Sequence, residues 1–400
     1  MTPARLRAVV RRALAATVAA VDLEGRVRAA TPQPPRGAQR VAVVAIGKAA
    51  PAMARGAVAA LGDRVARVLV VAPDGTPATA RGARVEVLRA AHPDPDTRSV
   101  RAARRAIETV AGADFVVALV SGGASSLVCL PEGMTLARYA RIVRALLRSG
   151  ATVREINVVR RHLCAIKGGG LARAAGGPVV TLVASDVIGG VALDVGSGPT
   201  VRDPTTAADA RRILRRCLPG ETPPLRSAFR LGRVGPRPRI VLRPEDLASA
   251  LGAALRVVVA RVRVAPPSVA PVAALAREYA RRARTLAPGE ALVRVAEPGV
   301  RVDARHPGRG GRCTHLAALV APHLPADVVF LAAASDGVDG ASGTGGALVD
   351  ASVARRAPLA AAIAAFDTGP ALAAAGAALP LRPSGLNLTD VHALVRAPAS

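Results

Sequence analysis

Aromatic residues are nearly missing from this sequence: no tryptophan, two tyrosines and four phenylalanines in 400 residues. Single-stranded nucleic acids are bound largely by stacking bases on aromatic side chains, and that mode has almost no platforms here. Cysteine is scarce too. Cys129, Cys164, Cys217 and Cys313 are scattered and form no CxxC pair, which weighs against a zinc site and a disulfide framework. They read as small buried apolar residues. No apolar run reaches the roughly 18 residues of a membrane-spanning helix. Negative charge is also short: 28 acidic residues face 55 basic ones, for a net charge of +27.

The most informative shortage is lysine. Lys48 and Lys167 are the only two, and every other basic residue apart from histidine is arginine. Asparagine is as rare, with Asn157 and Asn387 alone. Lysine and asparagine have A-rich codons, so a GC-rich genome replaces them wherever the surface permits. Lysines that survive are expected where a compact point charge serves and a wide planar fork does not. Both adjoin glycine: Gly47-Lys48 and Lys167-Gly168-Gly169-Gly170.

The length suggests two domains, and at 51% hydrophobic the chain can build large cores. No more than two basic residues are consecutive, so there is no basic arm, and the arginines spread over most expected helices. Solvated arginine-rich faces explain the charge better than nucleic acid does. The stretch Met1 to Ala30 has the Arg-rich amphipathic pattern of an organelle transit peptide but carries Asp22 and Glu24 and no serine. It reads as the first helix of a cytoplasmic protein.

Apolar runs of strand length predict strands at Val41–Ile46, Val68–Ala72, Val85–Leu88, Phe115–Val120 and Val179–Ala184. Helices are expected at Lys48–Ala60, Ser99–Val110 and Leu136–Arg148. Alternation of this kind implies βαβ units and parallel sheets. Prolines at 219–224 and 236–238 mark a domain boundary, giving domains 1–235 and 236–400. Beyond it, strands are expected at Ile240–Leu242, Arg261–Val264, Ala291–Val295, Val300–Ala304 and Val328–Ala333, with a helix at Val272–Leu286.

Ligands of open parallel sheets bind beyond the C-terminal strand ends. Those ends carry Gly47-Lys48, Ser121-Gly122-Gly123, Ser185-Asp186 and Ser335-Asp336-Gly337, a pattern suited to phosphate. Neither a Walker A loop nor a GxGxxG fingerprint is present. Asp186, Asp194 and Asp203 are candidate Mg²⁺ ligands, and Asp336 and Asp339 form a later pair; each is equally suited to cap a helix or turn. His162 lies among Arg160, Arg161 and Lys167, and the histidines show no ligand spacing.

A series of ordered motifs then matches one family. Gly47-Lys48-Ala49-Ala50, His92-Pro93-Asp94-Pro95-Asp96 and Ser121 to Ser126 are followed by Ile156 to Leu163 with Ile166 to Gly169. Ser185-Asp186-Val187, Ser197 to Thr206, Gly308 to Arg312, Asp336 to Gly340 and Asn387 to Asp390 continue the match. The chain resembles the glycerate 2-kinases of the MOFRL type. That resemblance implies two Rossmann-like α/β domains with mostly parallel sheets and an active-site cleft between them. It implies ATP-dependent phosphorylation of D-glycerate at the 2-hydroxyl, with Mg²⁺. Lys48, Asp186 and Arg312 would be catalytic. Gly47, Ser121, Gly122, Gly123, Ser125, Asn157, Arg160, Lys167, Gly168, Asp336 and Asn387 would bind substrate or nucleotide. Asp186 and Asp203 would hold the metal. The chain departs from the family pattern at Val295-Ala296-Glu297-Pro298, Cys313-Thr314-His315 and Leu242-Arg243-Pro244. These departures leave a different 2-hydroxy acid, or loss of catalysis, as the alternative.

Overall fold

A computed structural model describes residues 1–76, 84–229, 237–302, 308–382, 384–386 and 388–399. The chain divides into two compact units, one of residues 23–242 and one of residues 1–22 with 243–400.

The 23–242 unit is built on six strands: β1 (Val41–Ile46), β2 (Val65–Pro73), β3 (Val85–Ala90), β4 (Phe115–Ser121), β5 (Val179–Ala184) and β6 (Arg239–Leu242). All are parallel, in the order β3-β2-β1-β4-β5-β6. Every residue of β1, β4 and β5 is buried, as expected for strands covered on both faces. The helix Thr97–Ala111 packs on the sheet, and its Ala102, Ala106 and Val110 share one core with Tyr139, Ile142 and Leu146 of the helix Leu136–Arg148. On the helix Ala50–Leu61, Gly56 admits the helix Leu23–Ala30; a Cβ there would lie 2.3 Å from Glu24 O.

The other unit carries β7 (Arg261–Val264), β8 (Glu290–Ala296), β9 (Val328–Ala334), β10 (Gly346–Asp350) and β11 (Asp390–Arg396), in the order β10-β9-β11-β8-β7. Only β7 and β8 pair in parallel; the other three pairings are antiparallel. The α/β class stands, but the expectation of mostly parallel sheets applies to the first unit alone. β10 and β11 were not foreseen. The strand expected at Val300–Ala304 does not form over residues 300–302, and residues 303 and 304 lie outside the described ones.

Two boundaries also differ from the sequence reading. The helix Pro3–Ala20 belongs with residues 243–400, where it packs on the helix Pro244–Leu255 and on β9 and β10 and buries Leu6, Val10, Ala13 and Thr17. Ile240 to Leu242 completes the first sheet as its edge strand instead of opening the second domain. Among the described residues, no helix is long and apolar enough to cross a membrane.

Candidate active site

Strand order 3-2-1-4-5-6 reverses direction between β1 and β4, and the crevice above that point is where such sheets take ligands. Register decides which loops meet there. Ile46 pairs with Val120, and Ser121 pairs with Ala184. Gly47-Lys48, Ser121-Gly122-Gly123 and Ser185-Asp186 therefore leave the same edge side by side. Gly47 has φ of +131°, and a Cβ on it would sit 2.1 Å from Ser121 Oγ. The two loops close on each other only because that side chain is missing. A Cβ at Gly123 would lie 3.1 Å from His92 Cδ2 and 3.4 Å from Lys48 Cγ, so the His92-Pro93 loop joins the cluster.

The first loop offers a side chain and not an amide cradle. Gly47 N donates to Val71 O at 3.0 Å, Lys48 N to Gly122 O at 2.9 Å and Ala49 N to Ser121 Oγ at 3.1 Å. The Lys48 side chain of this loop is half-buried. Asp186, half-buried, follows β5, which is separated from β1 by β4.

The second lysine does something else. Lys167 is 0% exposed, and Nζ donates to Ser125 O at 2.7 Å and Val128 O at 3.1 Å. Burial pushes its ammonium below the ordinary lysine range. Gly168 N donates to Ser197 O at 3.0 Å, and a Cβ at Gly168 would meet Asp203 Cβ at 3.2 Å. Lys167 thus braces the Ser125 and Val128 carbonyls and Gly168 packs against Ser197 and Asp203, inward contacts where the sequence reading expected ligand-facing ones.

Asp203 is corrected in the same way. Oδ1 accepts from Thr205 N and Thr205 Oγ1, and Oδ2 lies 3.0 Å from Arg161 Nε as a buried ion pair. With its side chain fully covered, it is not exposed to a hydrated Mg²⁺. His162 is likewise engaged, with Nδ1 2.8 Å from Arg226 O and Nε2 3.1 Å from Thr205 Oγ1. It is structural.

A chain of hydrogen bonds organises the far side of the loop. Ser125 Oγ is 2.8 Å from Ser197 Oγ, and Ser197 Oγ donates to Asn157 Oδ1 at 2.9 Å. Asn157 Nδ2 donates to Asp194 O at 3.1 Å, and Arg160 Nη1 reaches Asn157 Oδ1 at 3.5 Å. Arg160, Ser125 and Ser126 line a cavity of about 240 Å³ with Arg144, Arg148 and Pro93. Arg144 is 3.6 Å from Asp94, whereas Arg148 and Arg160 have no carboxylate partner among the described residues. Arg144 and Arg148 stand four apart on one helix and were missed from sequence. A helix-face argument could have found them, but with arginine on nearly every helix the signal is diluted.

The other unit holds a separate cluster at one sheet edge, where β8 and β9 end and β11 begins. Arg312 donates from Nε to Asp390 Oδ2 at 3.0 Å, from Nη2 to Asp390 Oδ1 at 3.2 Å and from Nη1 to Glu297 Oε1 at 3.1 Å. Burial pushes the Asp390 carboxyl up to about 7, against the pull of the Arg312 guanidinium. Asp339 caps the helix Arg312–Val320, accepting from Cys313 N at 2.9 Å and Thr314 N at 2.8 Å. Asp336 is half-buried after β9 and accepts from Val338 N at 3.0 Å. Asn387 lies outside the described residues.

Comparison with known proteins also matches the chain in two parts. A family model described as "Domain of unknown function (DUF4147)" matches residues 8–226, and one described as "MOFRL family" matches residues 284–390. A protein of Agrobacterium vitis, provisionally named hydroxypyruvate reductase, is 37% identical over 97% of this chain and 94% of its own. A D-glycerate 2-kinase of Thermotoga maritima is 32% identical over 88% of this chain and 89% of its own. The crystal structure of a Thermotoga maritima glycerate kinase superposes with a TM-score of 0.83 at 28% identity, covering 98% of this chain and 100% of that one. This chain belongs to the MOFRL family of glycerate 2-kinases.

Proposed function

We propose that this protein transfers a phosphoryl group from ATP to the 2-hydroxyl of D-glycerate. The observation that carries the reading is the in-register meeting of Gly47-Lys48, Ser121-Gly122-Gly123 and Ser185-Asp186 at the switch point of a parallel sheet. Phosphoryl transfer asks little covalent chemistry of a protein; it needs positioned positive charge and excluded water. Lys48 supplies a compact charge to the transferring oxygens. The arginine-lined cavity beside Ser125 takes the carboxylate of a small acid, with Arg160 held in place through Asn157.

The residues fit Mg²⁺ through one carboxylate. Asp186 would hold the ion together with nucleotide phosphates, since Mg²⁺ keeps much of its shell as water and phosphate oxygen. When bound, the metal neutralises charge on the phosphates. In the other unit, Arg312 is fixed by Asp390 and Glu297.

Reduction of hydroxypyruvate, suggested by the provisional name of one relative, fits less well. The turn after β1 lacks the second and third glycines through which a dinucleotide pyrophosphate approaches the backbone. A coupled assay with D-glycerate and Mg-ATP tests the proposal. Turnover should exceed that of Lys48→Met, and the product should be 2-phosphoglycerate by NMR. No turnover above the variant, or NADH oxidation with hydroxypyruvate instead, would overturn it.

A further inference from the structure

We propose that Cys313, Asp390 and His392 form a binding site for a thiophilic divalent cation of the Zn²⁺ class. One candidate ligand atom from each residue lies within 4.8 Å of the other two, and all three residues are buried. The strand period places Asp390 and His392 on the same face of β11. Cys313 enters from the first turn of the helix Arg312–Val320. Residues far apart in sequence are therefore brought to one point, which is why cysteine spacing gave no hint of it.

Each ligand retains capacity for a metal. Arg312 takes one site on each oxygen of Asp390; a carboxylate has about four, so roughly two remain. His392 Nδ1 is 3.0 Å from Tyr279 Oη, while Nε2 is buried and has no hydrogen-bond partner among the described residues. An unmatched buried imidazole nitrogen is costly. One ring nitrogen anchored by a neighbour while the other is left open is how metal-binding histidines are oriented. A donor set of sulfur, nitrogen and one carboxylate oxygen selects Zn²⁺ or Co²⁺ over Mg²⁺. The site is thus chemically distinct from the Mg²⁺ position at Asp186 and does not depend on the kinase reading. A bound cation would tie β11 to the helix that carries Arg312.

The test uses the full chain, stripped with chelator and titrated with Co²⁺ alone. One Co²⁺ per chain is expected, with a thiolate-to-metal charge-transfer band that Zn²⁺ displaces. Cys313→Ser should abolish the band, and His392→Gln should weaken binding by about tenfold or more. Cys217→Ser, in the other unit, should leave the band unchanged. Tyr279→Phe keeps all three ligands and removes only the hydroxyl on His392, so it serves if the ligand variants fail to fold; a loss of about tenfold in affinity is expected. Absence of stoichiometric metal in the wild type, a band that survives Cys313→Ser or disappears in Cys217→Ser, or unaltered affinity in Tyr279→Phe would each overturn the proposal.

Discussion

The two lysines show how residue identity and residue role separate. Arginine fits neither position, but for different reasons. At Lys48 the requirement is a compact charge in a crowded crevice; at Lys167 it is an ammonium inside a fully buried slot between two carbonyls. Lys48→Met should lower kcat at least about 100-fold, the scale of losing one preorganised charge, with an unaltered melting temperature. Lys167→Met should do the opposite first. It leaves two buried carbonyls without a donor, at about 1–3 kcal/mol each, offset by removal of a costly buried charge. A lower denaturant midpoint checks this, and Lys167→Arg should not restore it. At Arg160, a charge-assisted contact to a substrate carboxylate is worth about 1.5–3 kcal/mol. Arg160→Met should therefore raise KM for D-glycerate by roughly tenfold or more while KM for ATP changes less. Equal changes in both would exclude the carboxylate role.

At the scale of elements, the segment Ser121–Leu127 is held from two sides. Lys167 holds its Ser125 carbonyl and the Val128 carbonyl just beyond it, and the Ser125–Ser197–Asn157 chain fixes its serine. Gly196, Ser197 and Gly198 all have φ near +60°, and Ser197 alone carries a side chain there. The left-handed region costs a non-glycine residue about 1–2 kcal/mol, so the hydroxyl contacts must hold it. Ser197→Gly and Ser197→Ala lose the same hydrogen bonds, but glycine sheds the strain. The glycine variant should be more stable than the alanine variant by about 1 kcal/mol, measured by equilibrium denaturation. The reverse order would mean that backbone strain is not what the serine contacts oppose.

For the whole molecule, the N-terminal helix crosses the expected division of the chain. It packs with residues 243–400, so one unit is assembled from both ends of the described sequence. Removing residues 1–22 uncovers the surface that Leu6 and Val10 bury, about 3–6 kcal/mol by area. Hydrogen exchange should then quicken in the helix Pro244–Leu255 and in β9 and β10, while β1 and β4 keep their protection. Uniform loss across both units would show that the helix stabilises the whole chain alike.

Much of this was written in local pattern. The runs Val41–Ile46 and Val179–Ala184 coincide with strands because a strand buried on both faces is mostly apolar, and the one polar residue in them, Thr181, is satisfied by Thr200 Oγ1. The loops at those ends were equally plain, since glycine and lone polar residues stand out against arginine and alanine. What sequence could not supply was partnership. Lys167, Gly168 and Asp203 have the residue types of an anion or metal site, yet packing turned them inward against carbonyls, Ser197 and Arg161. β10 became an antiparallel edge strand and β11 an antiparallel strand between two others, through pairings that no local period encodes. Side-chain chemistry and strand periodicity are local properties of the chain; which face meets which, and whether a charge ends in water or under a helix, depends on contacts made only after the chain has closed on itself.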